Sequence, residues 1–162
     1  METILFICTG NTCRSAMAQI YFNFMAKKMK KFKYIAKSAG IYGSDHNSIS
    51  ESASEVLSQN NVEVPEGFHS TALTKELILE SEYIFVMERM HIDFIESRFP
   101  GAVDKLFYLS QAEDRKEDIA DPIGADIDFY RTTFDRIKYY IDKLIGLFND
   151  GTFKDKLLLV KN

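Results

Sequence analysis

Hydrophobic positions along this chain alternate between two spacings. Compact apolar runs at Thr3 to Cys8, Tyr34 to Ser38, Tyr83 to Met87 and Lys105 to Leu109 read as strands. Between them the spacing shifts to threes and fours. Met17, Ile20, Tyr21, Phe24 and Met25 predict a helix over Ser15 to Lys31, with Lys27, Lys28, Lys30 and Lys31 as its solvated, dipole-compensating end. Ser52-x-x-Glu55 ahead of Val56 and Leu57 announces a further helix, Lys75 to Glu80 another, and His91 to Arg98 a fourth that stops at Pro100-Gly101. The last is the clearest. After Gly124, residues Ile127, Tyr130, Phe134, Ile137, Ile141, Leu144 and Phe148 mark one long apolar stripe, read as packing against a sheet rather than as a coiled-coil seam. Strands alternating with helices predict an α/β layer structure around a parallel sheet, whose ligand sites lie beyond the carboxyl ends of the strands. No repeat or linker divides the chain, so residues 1–162 are expected to form a single domain, with 152–162 a tail that offers no reading of its own.

Composition narrows the function. At 162 residues, 46% hydrophobic and 27% charged, the chain is long enough to bury a core. A net charge of −4 gives no general attraction for nucleic acid or an anionic membrane, so neither is expected as a partner. The opening METILFICTG is unlike a secretory signal and no later run has the length of a membrane span, which points to the cytoplasm. A reducing compartment makes a structural disulfide between Cys8 and Cys13 unlooked-for. Metal is a poor fit, because those two sulfurs would need further ligands while His46, His69 and His91 lack finger-like spacing.

The segment Cys8-Thr9-Gly10-Asn11-Thr12-Cys13-Arg14-Ser15 carries the chemistry. A Cys followed six positions later by Arg is weak evidence alone; its place between a strand and a helix gives it weight. A loop turning into a helix start presents several backbone N–H groups to its centre, and the helix dipole adds positive potential there. Phosphate suits such a cradle. Arg14 contributes a planar donor fork for two oxygens, and the same donors stabilise a thiolate, making Cys8 a strong nucleophile. No Gly-Lys-Ser/Thr follows Gly10, which excludes the nucleotide-binding P-loop. Asp121 before Pro122 sits on a constrained loop ahead of the long helix, where a carboxylate could protonate a leaving group and then deprotonate water.

With these residues in view, the chain resembles the low-molecular-weight protein phosphatase family, whose loop has the form Cys-x5-Arg-Ser. The likeness runs from Ile4 to about Leu147 and takes in Ser38-Ala39-Gly40, His69-Ser70, Ile84 to Glu88, and Asp121-Pro122 followed by a long helix. The resemblance implies a four-stranded parallel sheet flanked by helices on both faces and a reaction without cofactor or metal. It further implies that Cys8 attacks phosphorus to form a phosphocysteine while Arg14 and the amides of Thr9, Gly10, Asn11, Thr12 and Cys13 hold the oxygens. Asp121 would be the general acid, Asn11 would take a left-handed backbone position, and Ser15, Ser38 and His69 would support the loop. Phosphorylated proteins would be the substrates.

Departures from the family pattern bear on specificity. Ala16 and Gln19 replace a common Pro and Glu at positions away from the transferred group, and Ile123-Gly124 follow Asp121-Pro122 where tyrosine-directed members often carry aromatic residues. Thr12 stands where those members usually have a bulky aliphatic residue. Together with Asp-Pro-Ile-Gly and Tyr130-Arg131-x-Thr133, it resembles the bacterial protein-arginine phosphatase branch, whose loop also reads Gly-Asn-Thr-Cys-Arg-Ser. The alternatives are a tyrosine phosphatase of the same family, an arsenate reductase, and an inactive phosphate-binding or redox module. The reductase needs resolving cysteines, and none follows Cys13. Cys13 itself is the candidate redox partner of Cys8.

Overall fold

The computed structural model describes residues 1–161. In chain order the elements are β1 (Glu2–Cys8), α1 (Arg14–Ala26), β2 (Tyr34–Gly40), α2 (Glu51–Gln59), α3 (Lys75–Glu80), β3 (Ser81–Val86), α4 (Arg89–Arg98), β4 (Leu106–Tyr108), α5 (Ile127–Asp150) and α6 (Phe153–Lys161). Short 3-10 turns at Pro100–Lys105 and Leu109–Glu113 flank β4.

The strands form one parallel sheet, as the alternation of strand and helix predicts, and their order is β2-β1-β3-β4. Parallel strands must be covered on both faces, and β1 shows how its sequence meets that demand. Ile4 and Phe6 point into a core shared with α1, α2, α5 and α6, while Leu5 and Ile7 point into a second core under α3 and α4. The first core is aromatic. Phe6, Phe22, Phe85, Phe107 and Phe134 are fully buried in it, and such rings supply most of the burial free energy of an α/β layer.

The chain leaves β1 toward β2 on one side and later returns to pair β3 on the other, so the loops after β1 and β3 part around a crevice. That reversal of direction is the usual ligand position in an open α/β sheet. Cys8 ends β1 at one lip, and Glu88 follows β3 at the other.

Three details depart from the sequence expectation. Helix α1 ends at Ala26, with Lys27 as its cap, so the lysine cluster lies in the turns beyond the helix rather than in its last turn. The α2 cap is Ser50, whose hydroxyl accepts from Ala53 N at 3.2 Å; Ser52 lies inside the helix. Residues 153–161 form α6, with Phe153 and Leu157 buried against the aromatic core. Phe153 meets Phe148 at 4.3 Å and Tyr83 at 4.5 Å between ring centroids.

Candidate active site

Between β1 and α1 the chain makes one tight loop, and Asn11 is its turning point. Its φ of 59° is left-handed, a region that Asn tolerates far better than branched residues. Its side chain then ties the loop together. Nδ2 donates to Ser15 Oγ at 2.7 Å and to Ser38 Oγ at 2.8 Å, while Oδ1 accepts from Thr71 N at 2.8 Å. Ser38 passes its own proton to Gln19 Oε1 at 2.5 Å. Glycine 40 is a matter of space: a Cβ there would stand 2.5 Å from the carbonyl oxygen of Thr9.

Cys8 Sγ lies 2.9 Å from Ser15 Oγ and accepts from Asn11 N at 3.3 Å. Both protons of the Asn11 amide are committed to serine oxygens, so the Ser15 hydroxyl keeps its own proton to donate, with Cys8 Sγ at 2.9 Å and Ala39 O at 3.5 Å within reach.

Arg14 opens α1 and is 1% exposed. Its Nη1 donates to the Glu88 carboxylate and to Ile119 O, the latter at 2.8 Å. Nη2 faces the other way, 3.3 Å from Asp121 Oδ2 and 3.5 Å from Thr9 Oγ1. Asp121 is held at the rim by an Asx turn in which Oδ1 accepts from Ile123 N at 3.1 Å; its side chain keeps 35% exposure. Guanidinium and carboxylate thereby share one mouth at the loop that begins with Cys8, with Thr12 half-buried in the loop and Ile123 exposed beside Asp121.

The remaining sequence candidates make other contacts. Cys13 donates to Ser50 Oγ at 3.4 Å and meets the Tyr130 hydroxyl at 3.4 Å. Burial, followed by that contact with Cys13, pushes the Tyr130 phenol up to about 12. His69 is exposed; its Nδ1 meets Ser70 O at 3.0 Å and its ring lies 4.9 Å from that of His46. From this strip the loop is reached through Thr71 N, and no described hydrogen bond joins the His69 ring to it.

Sequence reasoning assigned no role to three groups that the structure brings in. Gln19 supports Ser38, and Glu88 and Ile119 O grip Arg14. His91, considered from sequence only as a metal ligand, is fully buried with Nε2 3.0 Å from Thr9 Oγ1. A signal existed for the last: Glu88-x-x-His91 at a helix start is the spacing of a capping box. Among the described residues, no group of three or more His, Cys, Asp or Glu side chains is arranged to hold a metal ion, and no helix is long and apolar enough to cross a membrane.

A thiol that accepts from a loop amide, in a loop backed by a buried guanidinium at the head of a parallel sheet, has the architecture of an oxyanion-binding α/β enzyme. Residues 3–155 match the family described as low molecular weight phosphotyrosine protein phosphatase, and the chain belongs to that family of protein phosphatases. Among its relatives is a protein-arginine-phosphatase of Geobacillus stearothermophilus, 38% identical over 87% of this chain and 92% of that protein. A low molecular weight protein-tyrosine-phosphatase, PtpB of Staphylococcus haemolyticus, is 36% identical over 87% of this chain and 96% of its own length. The solved structure of the arginine phosphatase YwlE from Geobacillus stearothermophilus superposes with a TM-score of 0.85 at 34% identity, covering 95% of this chain and 97% of that one.

Proposed function

We propose that this protein hydrolyses phosphoarginine in proteins through a phosphocysteine intermediate, without metal or cofactor. The observation that supports the mechanism is the contact of Arg14 Nη2 with Asp121 Oδ2, 3.3 Å apart, at the loop that begins with Cys8. In this reading a phosphoryl group enters the loop and engages Arg14 Nη2 and the amides of Thr9 through Cys13. Asp121 Oδ2 is thereby released toward the leaving atom. Cys8 Sγ attacks phosphorus, the P–N bond breaks, and Asp121 gives its proton to the departing guanidine nitrogen. Asp121 then takes a proton from water, which attacks phosphorus and frees Cys8, with Ser15, Ser38 and Asn11 keeping the thiolate and loop in place.

The substrate assignment leans on Thr12 and on the relatives named above. A phosphoguanidino group offers N–H donors that a threonine oxygen accepts, whereas an isoleucine at position 12 would leave them unpaired. Hydrolysis of phosphotyrosine is the second reading, favoured by the 36% identity to a tyrosine-directed relative. The two free thiols suit a reducing, cytoplasmic setting. Under peroxide, the Cys8 thiolate would be oxidised to a sulfenic acid, and Cys13 would displace hydroxide from it to form a disulfide after leaving Ser50 and Tyr130.

The test is side-by-side hydrolysis of phosphoarginine and phosphotyrosine peptides with chelator present, for the native protein and for Thr12→Ile. We expect the native protein to act on phosphoarginine and the substitution to lower kcat/KM for it about ten- to hundredfold, while phosphotyrosine hydrolysis is kept or raised. A native protein that ignores phosphoarginine but turns over phosphotyrosine efficiently places the substrate in the tyrosine class.

A further inference from the structure

Arg14 is fixed from behind by residues that are not part of the phosphate loop. Nη1 is the anchored side, held by the Glu88 carboxylate and by Ile119 O, and Nη2 is the side presented to the mouth. Glu88 caps α4, and the same carboxylate also accepts from the backbone N–H of His91. In return, Glu88 N donates to His91 Nδ1 at 3.0 Å.

That second bond fixes the tautomer. A backbone amide only donates, so Nδ1 is the acceptor and the ring proton sits on Nε2, which donates to Thr9 Oγ1 at 3.0 Å. Thr9 Oγ1 also lies 3.5 Å from Arg14 Nη2, so the contacts close into a ring: Arg14, Glu88, His91, Thr9 and back to Arg14. With its oxygen accepting from these two donors, Thr9 has its own O–H left to offer to an anion. Burial, then the nearby Arg14, lowers His91 to about 3, which keeps it in the neutral form the ring of contacts requires.

We propose that Glu88 and His91 are positioning residues for phosphoryl transfer: the capping box of α4 sets the orientation of the Arg14 guanidinium and of the Thr9 hydroxyl against the transferred group. This rests on the phosphocysteine reading above but not on the identity of the substrate. Helix α4 starts at the lip of the crevice opposite Cys8, so the cap couples the β3 side of the site to the β1 side. A guanidinium that has lost its rear anchor can still attract phosphate, but it no longer meets the equatorial oxygens in the geometry they adopt as the bond breaks.

The experiment compares Glu88→Gln, His91→Asn and Thr74→Ala with the native enzyme. Glu88→Gln keeps the shape and the acceptor oxygen but not the charge facing Arg14. His91→Asn keeps a short acceptor for Glu88 N and removes the reach to Thr9. Thr74→Ala removes a comparable cap at α3, outside the site, where the Thr74 hydroxyl accepts from Leu77 N. Each is assayed for kcat with an aryl phosphate and a phosphoarginine peptide, for inhibition by inorganic phosphate, and for Tm.

We expect kcat to fall about ten- to hundredfold in Glu88→Gln and His91→Asn on whichever substrate the enzyme turns over, with a several-fold smaller change in the phosphate inhibition constant. Thr74→Ala should lose Tm and keep kcat. Unchanged kcat in the two site variants, or a loss that only tracks Tm as in Thr74→Ala, overturns the positioning role. A parallel Cys8→Ala enzyme that stays active would instead overturn the phosphocysteine mechanism, so the two failures are distinguishable.

Discussion

Asn11 shows how much one side chain can settle. Its left-handed φ of 59° turns the loop, and its amide donates to Ser15 and Ser38 and so holds the Ser15 hydroxyl 2.9 Å from Cys8 Sγ. The loop residues were legible in the sequence because Gly10, Asn11 and Arg14 between a strand and a helix have no simple packing explanation. Gln19 and His91 were not, since each acts through a partner far away in sequence, Ser38 and Thr9 respectively. Asp121 lies between these cases, since Asp before Pro is an ordinary turn signal until Arg14 is found 3.3 Å from its carboxylate. In the proposed role of general acid, Asp121 should matter most where the leaving group is hardest to expel. Asp121→Asn should slow phosphoarginine or alkyl phosphate hydrolysis by roughly 10²- to 10⁴-fold and an activated aryl phosphate much less, measured as kcat on each. Equal slowing of both would remove the proton-transfer role.

Among the elements, strand β2 and helix α6 do different work. Strand β2 places Gly40 opposite Cys8 in the sheet register, where any side chain would press on the Thr9 carbonyl, so the end of this strand shapes the loop it does not belong to. Helix α6 was invisible in the sequence, because Phe153 and Leu157 are one turn apart in a segment too short to show a period. Its partners Tyr83 and Phe148 come from β3 and α5, and only the fold brings them to Phe153. Phe153→Ala should therefore destabilise the protein by about 3–5 kcal/mol in denaturant unfolding while leaving kcat at 25 °C unchanged. A stable variant would show that α6 adds little to the core.

For the whole molecule, the parallel sheet was readable because each strand is a short apolar run and each connection a helix-period stretch; the strand order β2-β1-β3-β4 was not, since apolar spacing does not say which strand lies beside which. The interior also holds a histidine that no pattern marked as buried. Because burial and Arg14 lower His91 from about 6.5 to about 3, the unfolded chain takes up its proton first as the pH falls. Stability from this residue is therefore complete above about pH 6.5 and is lost as pH drops toward 3, at no more than about 1.4 kcal/mol per pH unit. Denaturant titrations of the native protein and of His91→Asn between pH 7 and 4 should show the steeper acid loss in the native protein, and parallel curves would contradict it. The central claim is that Cys8 carries the phosphoryl group during turnover. Its most direct measurement is rapid acid quench of the enzyme turning over a phosphoarginine peptide or an aryl phosphate with chelator present, followed by mass spectrometry of the Cys8 peptide. The account predicts a phosphoryl group on Cys8 that forms and decays at rates compatible with kcat, and no turnover by Cys8→Ala; turnover with Cys8 unmodified, or retained by Cys8→Ala, would contradict it.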